Sequence, residues 1–127
     1  MRKLASSNAA NDAQILAICP AHYALTLLSG RWKIALVWYV HTGLNRFGRL
    51  QQKMPGITTK MLSQQLRELE QDGLLTRTVY AQVPPRVEYA LTALGCALLP
   101  ILEQLQTWGE QQQAQLGQPV PQPYNSN

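Results

Sequence analysis

Leu62, Leu66 and Leu69 recur at i, i+4 and i+7, a spacing that puts all three on one side of a helix. Thr59, Lys60, Ser63, Gln64 and Arg67 fall on the other side, which reads as polar, basic and free of carboxylates. Thr58 is placed to cap the start of this helix and Gly73 to end it, so the pattern predicts a helix over about 59–72. The Pro55-Gly56 pair just ahead marks a tight turn. Before the turn, Phe47, Leu50 and Met54 are spaced to face inward on a short helix near Gly48–Lys53, with a short strand expected at Asn45–Phe47. Pro20 and Gly30 bracket a first helix over about Pro20–Ser29. The apolar run Ile34–Val40 makes a second helix, about Trp32–His41, a central one.

After Gly73 the period changes from helical to alternating. Leu75–Ala81 and Arg86–Leu91 read as two strands, with Val87, Tyr89 and Leu91 on one face and Arg86 and Glu88 on the other. Gln82-Val83-Pro84-Pro85 joins them as a stiff tip. A last helix opens at Thr92 and runs over about 93–112. Leu94, Leu98, Ile101, Leu102, Leu105 and Trp108 give it a wide apolar stripe, and Pro100 is expected to kink it. Residues 1–13 read as a flexible arm, helical toward Ile15–Ile18, and 113–127, with Pro119, Pro121 and Pro123 among Gln, Asn and Ser, as a disordered tail. The domain between them, 14–112, is mainly α with a small β-hairpin.

Charge sharpens this picture more than composition does. Hydrophobic residues make up 46% of the 127, enough for one core, and the net charge is +4. No Asp or Glu occurs from residue 13 to 67, a stretch that holds Arg31, Lys33, Arg46, Arg49, Lys53, Lys60 and Arg67. After Val87 only Glu88, Glu103 and Glu110 are charged. The basic part has the sign needed to meet a polyanion. A short helix, a tight turn, a helix with a polar outer face and then a hairpin follow the winged helix-turn-helix order, in which the second helix enters a major groove. Arg, Gln, Ser and Thr are residue types that read base edges, Arg suiting guanine and Gln adenine. Glu68, Glu70 and Asp72 fall in the C-terminal half of that helix, away from phosphate. Arg46 and Arg49 suit backbone phosphate contacts, Arg86 a phosphate or minor-groove contact from the wing, and Arg77 a supporting place on the sheet. The partner expected is duplex DNA. A module that binds protein or RNA without reading duplex DNA is the alternative, and the absence of acid beside Lys60 and Arg67 argues against it.

The chain resembles the HxlR-type family of bacterial winged-helix regulators, related in fold to the MarR group. The likeness covers about residues 19–109. It is carried by Cys19-Pro20, Gly30-Arg31-Trp32, Arg46-Phe47, Pro55-Gly56-Ile57, Lys60-Met61-Leu62-Ser63-Gln64, Leu66 through Leu74, Val79-Tyr80, Val83 through Tyr89 and Leu91-Thr92. Thr59 stands where members often have Pro, and Cys96 where a polar residue is commoner. The resemblance implies a homodimeric transcription factor whose terminal helices form the interface, with Thr59–Asp72 recognising DNA and the hairpin as wing. Leu98, Ile101, Leu102, Leu105 and Trp108 are the expected dimer residues, because their stripe is wider than one small domain readily covers. Two copies would set recognition helices about 34 Å apart on a near-palindromic site.

Cys19 borders the start of the first helix, where unpaired N–H groups favour a thiolate. Some members of the resembled family use the matching Cys to sense quinones, aldehydes or oxidants; the other reading of Cys19 is a small packing residue. Cys96 is expected in the core, as are Trp32, Trp38 and Trp108, the last also able to face a partner subunit. His22 and His41 lack metal-ligand spacing, and no cofactor is implied. Nothing pairs a nucleophile with a base, so an enzyme is not expected. The N-terminus turns polar after Met1-Arg2-Lys3 and no apolar run approaches membrane length, which points to a cytoplasmic protein off the membrane.

Overall fold

The computed structural model describes residues 19–117; the expected N-terminal arm and most of the expected tail lie outside the described residues. Among the described residues, five helices and one antiparallel hairpin follow in the order α1 (Pro20–Leu27), α2 (Lys33–His41), α3 (Phe47–Lys53), α4 (Thr59–Gln71), β1 (Leu75–Tyr80), β2 (Arg86–Leu91) and α5 (Ala93–Gln115). This is the winged helix-turn-helix arrangement. Its core gathers Leu36, Val37 and Val40 from α2, Leu50 from α3, and Leu62, Leu66 and Leu69 from α4, closed by Leu74, Leu75, Tyr89 and Leu102. Helix α2 is central, as its apolar run predicts, but its first residue, Lys33, is also buried.

The capping residues do what their chemistry suggests. The Thr58 hydroxyl accepts from the Met61 amide at 3.0 Å, and Pro20 opens α1. Gly73 leaves α4 with φ +80°, a left-handed conformation that Gly adopts without steric cost. Thr92 then ties the end of the wing to the end of α4. Its hydroxyl donates to the Gly73 carbonyl at 2.6 Å, accepts from the Gly95 amide at 3.0 Å, and its backbone N–H bonds the Leu74 carbonyl at 3.1 Å. That turn packs so closely that a Cβ at Gly95 would collide with the Leu74 carbonyl oxygen. In the hairpin Leu75 pairs with Leu91, Arg77 with Tyr89 and Tyr80 with Arg86.

Several expectations are corrected. The strand at Asn45–Phe47 does not form; Asn45 gives the sheet only its carbonyl, which accepts from the Tyr89 amide at 2.9 Å. Helix α5 is not interrupted at Pro100 and reaches Gln115, three residues into the expected tail. Pro100 removes one N–H from the ladder, and the flanking turns still hold. Cys96 is exposed and not in the core. The close approach of Gly95 to the Leu74 backbone fixes which side of α5 faces inward, and the next residue is rotated away from it. Trp108 is 60% exposed, whereas Trp32 and Trp38 pack against the core.

Candidate nucleic-acid interface

Helix α4 is held from three directions. Its leucine stripe is sealed in the core. At its N-terminal end, Gln51 on α3 donates through Nε2 to the Thr59 hydroxyl at 3.2 Å, and the Trp32 indole donates to the Met61 sulfur at 3.1 Å. Arg31 lies over the Trp32 ring, 5.0 Å from its centroid. In mid-helix, the Lys33 ammonium donates to Glu68 Oε1 at 2.5 Å, and Gln64 Nε2 donates to Glu68 Oε2 at 3.2 Å. Its ammonium's bond to Glu68 holds the Glu68 carboxyl down at about 2, with the Gln64 hydrogen bond helping and partial burial opposing.

What remains on the outside is the predicted polar face. Thr58, Thr59, Lys60 and Arg67 are exposed, Ser63 and Gln64 half-buried. Two expectations about charge fail here. Lys33, counted among the residues facing a polyanion, is 1% exposed and neutralised within the fold. The face is also not free of carboxylates: Glu68 borders the same surface as Lys60, Ser63, Gln64 and Arg67, though both its oxygens are engaged. Among the described residues, no ion pair involves Lys60 or Arg67.

A groove of about 380 Å³ runs between α4 and the hairpin, lined by Ser63, Arg67 and Glu70 on one side and Arg77, Val87 and Tyr89 on the other. Arg77, expected only to support the sheet, therefore stands on the same groove as Arg67. Arg86 is less free than expected. It stacks on Tyr80, 4.2 Å from the ring centroid, and its Nε lies 3.4 Å from Glu88 Oε2. Arg46 approaches the same Glu88 oxygen at 3.9 Å, so this carboxylate lies between the wing and the start of α3. Arg49 is exposed beside Arg46, on a surface shared with Pro85 and Val87.

Cys19 is the N-cap of α1, half-buried, with Pro20 next to it. The stripe expected to bind a second copy divides. Leu102 is 2% exposed in the core of its own chain and Leu98 packs half-buried against that core, so Leu102 is not available to a partner. Leu94, Ile101, Leu105 and Trp108 all point outward, Ile101 at 58% exposure. Sequence reasoning missed the Lys33–Glu68–Gln64 cluster, since 35 positions separate Lys33 from Glu68. The signal was a lone Lys at the head of the run Ile34–Val40, a place where a charge must find a partner.

Residues 27–116 match the HxlR-like helix-turn-helix family. This chain belongs to that family. The HTH-type transcriptional regulator YybR of Bacillus subtilis is 47% identical over 92 residues, which cover 72% of this chain and 74% of that one. Among solved structures, the redox regulator HypR in its reduced form is similar over 77% of this chain and 97% of its own, with 43% identity and a TM-score of 0.70. The transcriptional regulator YodB of B. subtilis, also reduced, covers 74% of this chain and 94% of its own at 34% identity and a TM-score of 0.66. This HxlR-like chain is thus a transcriptional regulator, not an enzyme. Among the described residues no helix is long and apolar enough to cross a membrane.

Proposed function

We propose that the protein is a homodimer that binds a near-palindromic duplex operator in the cytoplasm and regulates transcription in response to an oxidant, quinone or aldehyde. The observation that carries the DNA reading is the outer face of α4. Lys60 and Arg67 project there with no ion pair among the described residues, beside Thr58, Thr59, Ser63 and Gln64, on a helix seated by its leucine stripe. In this reading α4 lies in the major groove, and Arg46, Arg49, Arg77 and Arg86 meet phosphates on either side of it. The apolar face of α5 supports the dimer. Leu94, Ile101, Leu105 and Trp108 lie exposed along it at steps of seven, four and three, the spacing of a two-helix seam. Cys19 supports the sensor role by its place at the head of α1, and by the likeness to structures described as redox regulators.

The deciding experiment measures binding of wild type and Arg67→Ala to a selected operator and to random duplex. Loss of about 1–3 kcal/mol on the operator, with little change on random DNA, is expected if Arg67 reads a base. Equal losses on both would reduce Arg67 to a phosphate contact. A wild-type protein that selects no operator and binds no duplex in dilute buffer would end the reading.

A further inference from the structure

The Lys33–Glu68–Gln64 chain runs from the core to the outer surface of α4. Lys33 is a donor only, and its ammonium engages Glu68 Oε1 inside the fold. That turns the second oxygen, Oε2, toward Gln64, one helical turn earlier. An ionised carboxylate can only accept, so the Gln64 amide must face it with its NH2 end. That bond leaves the amide oxygen as the end turned from Glu68; among the described residues no hydrogen bond to it is found, and Gln64 borders the surface shared with Lys60, Ser63 and Arg67. An unfixed glutamine can turn its amide over and offer either end.

We propose that Lys33 and Glu68 are positioning residues that lock Gln64 with its amide oxygen outward. The position then selects bases presenting an amine, adenine or cytosine, over guanine or thymine. This rests on the reading of α4 as a DNA-recognition helix. Of the four bases, only adenine (N6) and cytosine (N4) offer an amine donor in the major groove. Glu68 touches no base in this scheme; its role is to remove one of two orientations before DNA arrives, so no ordering cost falls on binding.

Glu68→Gln makes a sharp test, because it should reverse the lock. Lys33 still requires an acceptor, so the new amide must give it the oxygen and turn its NH2 toward Gln64. Gln64 then has to accept with its own oxygen and present NH2 outward. Duplexes are selected from a randomised pool with wild type, Glu68→Gln and Gln64→Ala. At one position per half-site, wild type should favour adenine or cytosine, Glu68→Gln should move the preference about tenfold toward guanine or thymine, and Gln64→Ala should flatten it. Should Glu68→Gln prove too unstable with Lys33 left charged, Lys33→Met combined with Glu68→Gln removes the charge and leaves Gln64 unlocked; preference at that position should then flatten. The proposal is overturned if Glu68→Gln selects the wild-type bases while Gln64→Ala does not, or if Gln64→Ala leaves the selected sequence unchanged. Failure of wild type to enrich any sequence would instead sink the DNA reading itself.

Discussion

Glu68 carries more of the fold than an exposed helix carboxylate would. Its pKa lies near 2 in the folded protein against an ordinary value of 4.5, held down chiefly by Lys33. A depressed carboxylate contributes its stability above the unfolded value and loses it as pH falls toward the folded one. The contribution should therefore be complete at pH 7 and fade between about pH 5 and 2, on the order of 1–3 kcal/mol in total. Denaturant titrations of wild type and Glu68→Gln should show a stability gap at pH 7 that narrows at pH 3; a gap constant with pH would show that the pair is not ionic. Cys19 is the other residue with a single decisive test. Cys19→Ser should retain DNA affinity and lose any response to a thiol oxidant, read by comparing operator binding before and after treatment. Identical responses in the two proteins would leave Cys19 as packing.

Helix α5 presents two kinds of apolar residue that a helical pattern alone does not separate. Leu102 and half-buried Leu98 complete the core of their own chain, while Leu94, Ile101, Leu105 and Trp108 form a neighbouring stripe left to solvent. Ile101→Glu should therefore spare the monomer's fold and break a seam with a second copy. Sedimentation at micromolar concentration should find the variant monomeric with an unchanged circular dichroism spectrum. A dimeric Ile101→Glu protein would move the interface elsewhere. Helix α4 was easier to anticipate, because the Thr58 cap, the leucine stripe and the end at Gly73 are all local features. The Asn45–Phe47 strand and the core placement of Cys96 were misread. Both depend on where a neighbouring backbone lies: Tyr89 claims only the Asn45 carbonyl, and Leu74 presses on Gly95.

Taken as a molecule, the chain sets Arg67 and Arg77 on opposite sides of the α4–wing groove and neutralises Lys33 internally. Binding of a dimer to an operator should weaken steeply with salt, with a slope of about 0.9 per phosphate neutralised. The full-length operator should show roughly twice the slope of a duplex carrying one half-site. Equal slopes would mean that one subunit alone meets the DNA.

The five helices and the hairpin, the two ends of α4, its leucine stripe and the outward placing of Lys60 and Arg67 were determined by the sequence alone, because periodicity, capping and turn chemistry act over a few neighbouring residues. The tertiary structure decided which charges remain free. Lys33 and Glu68, distant in the chain, cancel each other only once α2 and α4 pack together. Arg86 and Arg46 converge on Glu88 only when the hairpin folds back beside α3. It also divided the α5 stripe into core and surface. A residue's side of a helix follows from local spacing, whereas what lies opposite that side depends on segments the spacing does not describe.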